Sequence, residues 1–85
     1  MKKEGNRNNS NEGKNFVEIT VNNEKFKIHR GRQSVETIKN TAGVLLTDIL
    51  EQVIDGRLTP LPNDGFVVIK GGEVFVSHVP SGGAS

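Results

Sequence analysis

The sequence predicts an α+β domain of two layers, one short helix crossing a sheet. Three observations carry that expectation: two alternating runs flank an Asn-Asn pair, a short helical stripe lies between a serine and a glycine, and two further strand-like runs follow a proline-bearing stretch. A hairpin crossed by a helix too short to stand alone, with later strands joining the same sheet, makes a two-layer domain with the helix on the inner face of the sheet. With 85 residues the chain holds one domain at most, and a chain of this size buries only about 60% of the surface its unfolded form exposes.

Residues 1–14 (MKKEGNRNNSNEGK) carry no apolar side chain beyond Met1. Such a segment buries too little to offset its ordering entropy, so a disordered arm is expected. Phe16 to Val21 alternates, with Val17, Ile19 and Val21 on one face. Asn22-Asn23-Glu24 supplies the turn, and Lys25 to Arg30 alternates again through Phe26 and Ile28. This is the pattern of an antiparallel hairpin with one solvated face.

Gly31-Arg32-Gln33 reads as a connector. Ser34 is a good N-cap, Glu36 suits the positive end of the helix dipole, Val35, Ile38 and Ala42 make an apolar stripe, and Gly43 ends the helix,. Residues 44–55 are ambiguous: Thr47 could cap a helix through Ile49, Leu50, Val53 and Ile54, and residues 50–55 would equally serve as a strand,. Asp55-Gly56-Arg57 turns the chain, and the prolines of 58–65 predict a loop,. Phe66 to Lys70 is a buried-type strand, Gly71-Gly72 a tight hairpin turn, and Glu73 to Val79 the closing strand. The expected core is Val17, Ile19, Val21, Phe26, Ile28, Val35, Ile38, Val67, Ile69, Val74 and Val76.

Composition limits the function. The chain has no Cys, hence no disulfide, thiolate nucleophile or sulfur-ligated metal,. Its start lacks the apolar run of a secretory signal, and no stretch approaches the roughly 18 apolar residues of a membrane span, so a cytoplasmic protein without a membrane partner is expected. Residues 1–14 hold four positive and two negative groups, and the rest seven and eight. A near-neutral body without Tyr or Trp argues against nucleic acid as its main ligand,.

His29 and His78 lie on strands without a carboxylate at motif spacing and read as surface or sheet-edge residues. Asp48, Glu51 and Asp55 read as a solvated face or turn, and no metal is expected. Gly71-Gly72 is not followed by a helix or by the Lys-Ser/Thr of a phosphate loop, and Ser34, Ser77 and Ser81 have no triad context,. By strand alternation Phe16 and Phe75 face outward with Ser77, and Val79 begins the tail. That patch is either a docking face or packing against a loop or the arm.

The order and spacing of elements from about Phe16 to Gly83 resemble the ubiquitin-like β-grasp family. Ile38-Lys39 in the helix, Gly43-Val44-Leu45-Leu46-Thr47-Asp48, the turn Asp55-Gly56-Arg57-Leu58 and the terminal Gly82-Gly83 carry the likeness. More narrowly the chain is similar to small bacterial ubiquitin-like proteins encoded beside activating-enzyme, conjugating-enzyme and deubiquitinase-like peptidase genes. It differs in having Leu45 and Leu46 where ubiquitin has prolines, Val79-Pro80-Ser81 before the diglycine, and Ala84-Ser85 after it. The resemblance tips residues 50–55 towards strand.

It also implies an arrangement of disordered arm (1–14), β-grasp domain (15–79) and flexible tail (80–85), and it implies that the chain is a substrate of enzymes rather than an enzyme. A peptidase would cut between Gly83 and Ala84, an activating enzyme would adenylate the Gly83 carboxylate with ATP, and a conjugating enzyme would pass it to target proteins. No cofactor is implied. Gly82 and Gly83 lack the Cβ that would block a narrow channel, Pro80 stiffens the exit, and Ser81 joins the two. In the family the outward sheet face docks the processing enzymes, which would assign Phe16, Phe75, Ser77 and Val79 to partner binding. Two alternatives remain: a sulfur carrier of the same fold forming a C-terminal thiocarboxylate, and a noncovalent adaptor whose tail is irrelevant.

Overall fold

The computed structural model describes residues 15–80. Eight elements follow in chain order: β1 (Phe16–Val21), β2 (Glu24–His29), β3 (Gly31–Ser34), α1 (Val35–Ala42), β4 (Ile49–Ile54), β5 (Arg57–Leu61), β6 (Phe66–Ile69) and β7 (Val74–His78). Five of the strands form a mixed sheet in the order β2-β1-β7-β4-β5, and β3 and β6 pair separately. A multi-strand sheet crossed by one helix, with first and last strands parallel at its centre, is the β-grasp topology the sequence predicts.

The β1–β2 hairpin forms in the predicted register, Val21 opposite Glu24 and Phe16 opposite His29. Its turn holds Asn22 and Asn23 at φ 53° and 70°. Both central residues of such a tight hairpin turn need positive φ, which asparagine tolerates better than most. The helix keeps its predicted signals: the Thr37 N–H donates to Ser34 Oγ at 3.0 Å, and Gly43 ends it with φ 72°. Val35 and Ile38 are fully buried against the sheet.

Residues 50–55 are strand, as the resemblance favours and the helical spacing does not; β4 begins at Ile49. Leu50, absent from the expected core, is fully buried there. Two strands appear where none is predicted. β3 occupies the expected connector and pairs Arg32 with Val68 and Ser34 with Phe66. β5 occupies the first part of the proline-bearing loop, with Pro60 opposite Glu51. The two-residue Asp55-Gly56 turn makes Ile54 and Arg57 a hydrogen-bonded pair, and alternation then leaves Pro60 in a non-bonded position,. The N–H that proline lacks would face the open edge, where no ladder bond is lost.

Two further expectations are corrected. β6 joins β3 rather than the main sheet, so Gly71-Gly72 does not close a β6–β7 hairpin. The turn there is wrapped around a carboxylate: Lys70 and Gly71 N–H donate to Glu73 at 2.8 and 2.9 Å, with Gly71 and Gly72 at positive φ. β6 is also buried on one face only, Val67 and Ile69 inward and Phe66 and Val68 exposed, with the Arg32 guanidinium 4.1 Å from the Phe66 ring centroid.

In β7 the inward residue is Phe75, at 0% exposure, while Val74 is exposed and Val76 half-buried. The core is therefore Ile19, Val21, Ile28, Val35, Ile38, Leu50, Val67, Ile69 and Phe75, with Val17 and Phe26 packed against its margin. An aromatic ring fills the space between sheet and helix where two valines were expected.

Candidate functional site

β7 is the strand on which the candidate site is built. It lies at the centre of the sheet, parallel to β1 through Thr20–Val74 and Val21–Phe75 and antiparallel to β4 from Gln52–Phe75 to Ile49–His78. β1 ends at Val21, so the second half of β7 loses its backbone partner on that side. The Asn22 side chain replaces it. Asn22 Oδ1 accepts from the Ser77 N–H at 2.9 Å and Asn22 Nδ2 donates to Ser77 Oγ at 2.8 Å, beyond the Asn22 N–H bond to the Phe75 carbonyl at 3.0 Å. The hairpin turn thereby extends the ladder to the last residues of the strand.

These contacts overturn two of the predicted patch residues. Phe75 is buried in the core, and Ser77, on the same side, is half-buried and bonded to Asn22, so neither presents an outward docking surface. The outward side of β7 is Val74, Val76 and His78. Cross-strand register adds Ile49, Glu51 and Val53 from β4, and Leu58 and Pro60 from β5. Val74 and Leu58 are exposed at 40% and 56% on this face, enough apolar surface to act as a contact, and Val79, beyond the strand, is exposed at 69%,. Phe16 does lie on the outward face, at 38% exposure, at the β1–β2 end and against the His29 ring with centroids 4.1 Å apart.

One polar pair interrupts this apolar face. Glu51 stands opposite Val76 on β7 and Pro60 on β5, and its side chain keeps only 14% exposure. Its partner is His78, one step along the diagonal, with Nε2 3.3 Å from Glu51 Oε1. The other ring nitrogen, Nδ1, lies 3.0 Å from the Val79 carbonyl oxygen. The sequence pattern could not find this pair, because its members are 27 positions apart and meet only through β4–β7 register.

The sheet end from which the chain leaves β7 also holds a groove of about 480 Å³ walled by Leu46, Ile49, Leu61 and Pro62. Its floor is Lys39, a buried ammonium at 1% exposure. Lys39 Nζ donates to the carbonyls of Leu46 and Asp48 and to Asn63 Oδ1, so its three hydrogens are used,. Asp48 and Asp55 do not converge with Glu51: Asp48 contributes its carbonyl to Lys39, and Asp55 sits in the β4–β5 turn at φ 51°. Among the described residues no group of three or more His, Cys, Asp or Glu is placed to hold a metal, and no helix is long and apolar enough to cross a membrane.

Of the predicted tail, Pro80 is exposed after β7, and Ser81, Gly82, Gly83, Ala84 and Ser85 lie outside the described residues, as does the arm 1–14. The chain matches no protein-family model, no curated protein and no solved structure.

Proposed function

We propose that this chain is the precursor of a ubiquitin-like protein modifier, cut between Gly83 and Ala84 and joined to targets through the Gly83 carboxylate. One observation carries the reading: the central strand of a β-grasp sheet runs out at Val79-Pro80, and the sequence then continues Ser81-Gly82-Gly83. A terminus that must enter another enzyme's active centre needs a firm base and backbone free of side chains. β7 supplies the base, held by β1 and Asn22 on one side and by β4 on the other. The glycines supply the slender end.

The chemistry belongs to partner enzymes. A peptidase hydrolyses the Gly83–Ala84 bond and frees a carboxylate. That carboxylate attacks the α-phosphorus of ATP in the activating enzyme, releasing pyrophosphate. A thiol or amine then displaces AMP, and the acyl group passes through the conjugating enzyme to an amine of a target protein. The face formed by Val74, Val76, Val53, Leu58 and Pro60 is the docking surface for these enzymes in place of Phe75 and Ser77, and the exposed Val79 beyond the strand adds to the contact.

The test is co-expression with a peptidase, an activating enzyme and a conjugating enzyme drawn from one gene cluster, followed by intact-mass and adduct analysis. Loss of Ala84-Ser85 and ATP-dependent adducts ending at Gly83 are expected. Adducts made equally by a Gly83→Trp chain would refute the reading, and an added sulfur on Gly83 in place of adducts would establish a sulfur carrier instead.

A further inference from the structure

We propose that His78 and Glu51 form a latch that sets the direction in which the chain leaves the domain, making His78 a positioning residue for the C-terminal reaction. The consequence for that reaction rests on the modifier reading above; the latch itself does not.

Three observations point to it. Glu51 is a carboxylate held at 14% exposure among Val76, Pro60, Ile49 and Val53, an environment that penalises a charge without a partner,. His78 is that partner, placed by the β4–β7 register. The same ring reaches Val79, the first residue after β7, so each nitrogen faces an acceptor: Glu51 Oε1 at 3.3 Å and the Val79 carbonyl at 3.0 Å. A neutral imidazole has one N–H and meets one acceptor, whereas the imidazolium donates to both.

The position gives the latch its purpose. After His78 the chain has no strand partner, and the Val79 side chain is 69% exposed, so its packing does not fix the exit. Pro80 restricts its own φ and the conformation of Val79 before it, but neither ties Val79 to the sheet. The His78 bond to the Val79 carbonyl does, and Glu51 fixes the ring. A terminus aimed in advance loses less entropy when it docks.

The experiment is nitrogen-15 and carbonyl carbon-13 relaxation on the full chain, with His78→Ala, Glu51→Ala and Glu51→Gln variants. In the parent, the Val79 carbonyl should show an order parameter of ~0.85. His78→Ala and Glu51→Ala should lower the Val79 value below about 0.6, with the Phe75 amide unchanged as the control for folding. Glu51→Gln keeps an acceptor for Nε2 and should retain most of the order. An unchanged Val79 carbonyl order parameter in His78→Ala overturns the latch.

With an activating enzyme that accepts the parent chain, His78→Ala and Glu51→Ala should each raise KM about five- to tenfold with kcat within about twofold; Glu51, at 14% exposure, offers an enzyme little contact of its own, so its effect reads lost preorganisation,. Equal KM refutes the positioning role while the modifier reading stands. If no activating enzyme accepts the parent, both the modifier reading and the positioning role fall, and relaxation alone decides the latch.

Discussion

The Lys39 ammonium and the Asn63 amide hold each other across 24 positions: Lys39 Nζ donates to Asn63 Oδ1, while Asn63 Nδ2 donates at 2.8 Å to the Leu46 carbonyl that Lys39 also reaches at 3.2 Å. Helix α1, the segment before β4 and the segment after β5 therefore share one small network. Its members are a cation and neutral acceptors, so the ammonium's burial is compensated by hydrogen bonds rather than by a counter-charge.

Replacing Lys39 with Met keeps much of the side-chain volume and removes the donor. The Asp48 carbonyl and Asn63 Oδ1 then lose their Lys39 partner, while the Leu46 carbonyl keeps Asn63 Nδ2. A stability loss of about 1–2 kcal/mol is expected: a buried acceptor left short costs about 1–3 kcal/mol, but Asp48 is half-buried and Asn63 exposed, so water replaces part of the lost donor,. Urea unfolding followed by circular dichroism checks it. A Lys39→Met chain as stable as the parent would show that water satisfies these carbonyls.

The phase of β7 gives a second prediction. Phe75→Ala should cost about 3–5 kcal/mol by opening a cavity under α1, whereas Val74→Ala on the outer face should change stability by about 0.5 kcal/mol or less. A larger loss at Val74 than at Phe75, measured by urea unfolding, would put the strand in the opposite phase.

That phase also marks where sequence reasoning stops. The hairpin was legible because Val17, Ile19 and Val21 alternate with polar residues and two asparagines mark the turn; the helix was legible because Ser34 and Gly43 bound it. Val74-Phe75-Val76 has no polar member to set the period, so alternation fits either face, and burial volume selects the phenylalanine. β5 was hidden because Pro60 reads as a strand breaker, and only pairing with β4 shows that its nitrogen faces an open edge. β3 was hidden because Gly-Arg-Gln-Ser has no apolar residue and becomes a strand only through its bonds to β6. Of the candidate site, Val79 and Phe16 were legible as exposed residues, while Glu51–His78 and the Val74–Leu58 face depend on register.

Asn22 should matter more than a turn residue usually does. Alanine there meets a φ of 53°, costing roughly 1–2 kcal/mol, and also removes the two bonds to Ser77,. Adding about 1 kcal/mol for those bonds gives an expected loss of about 2–3 kcal/mol. Asn22→Gly relieves the backbone and should recover the conformational part alone. Hydrogen exchange at the Ser77 amide separates the contributions: it should quicken in both variants, because both lack the side-chain acceptor.

The outer face makes the last prediction, and it corrects the residue at which a docking test should be aimed. An Asp at Phe75 would disrupt the core and weaken every interaction indirectly. Leu58 is 56% exposed on edge strand β5, and its side chain leaves water only when a partner covers it. Leu58→Asp should therefore leave the urea midpoint within about 0.5 kcal/mol of the parent. Against an activating enzyme that adenylates the parent, it should weaken binding about tenfold or more, since a charge buried in an apolar contact without a partner costs well over 1.4 kcal/mol. Lys25→Ala on β2, at the far edge of the sheet, also lowers the net charge by one, serves as the charge-matched comparison and should bind nearly as the parent does. Titration calorimetry with the three chains reads the result. Parent-like affinity for Leu58→Asp would move the docking surface off the β4–β5–β7 face altogether.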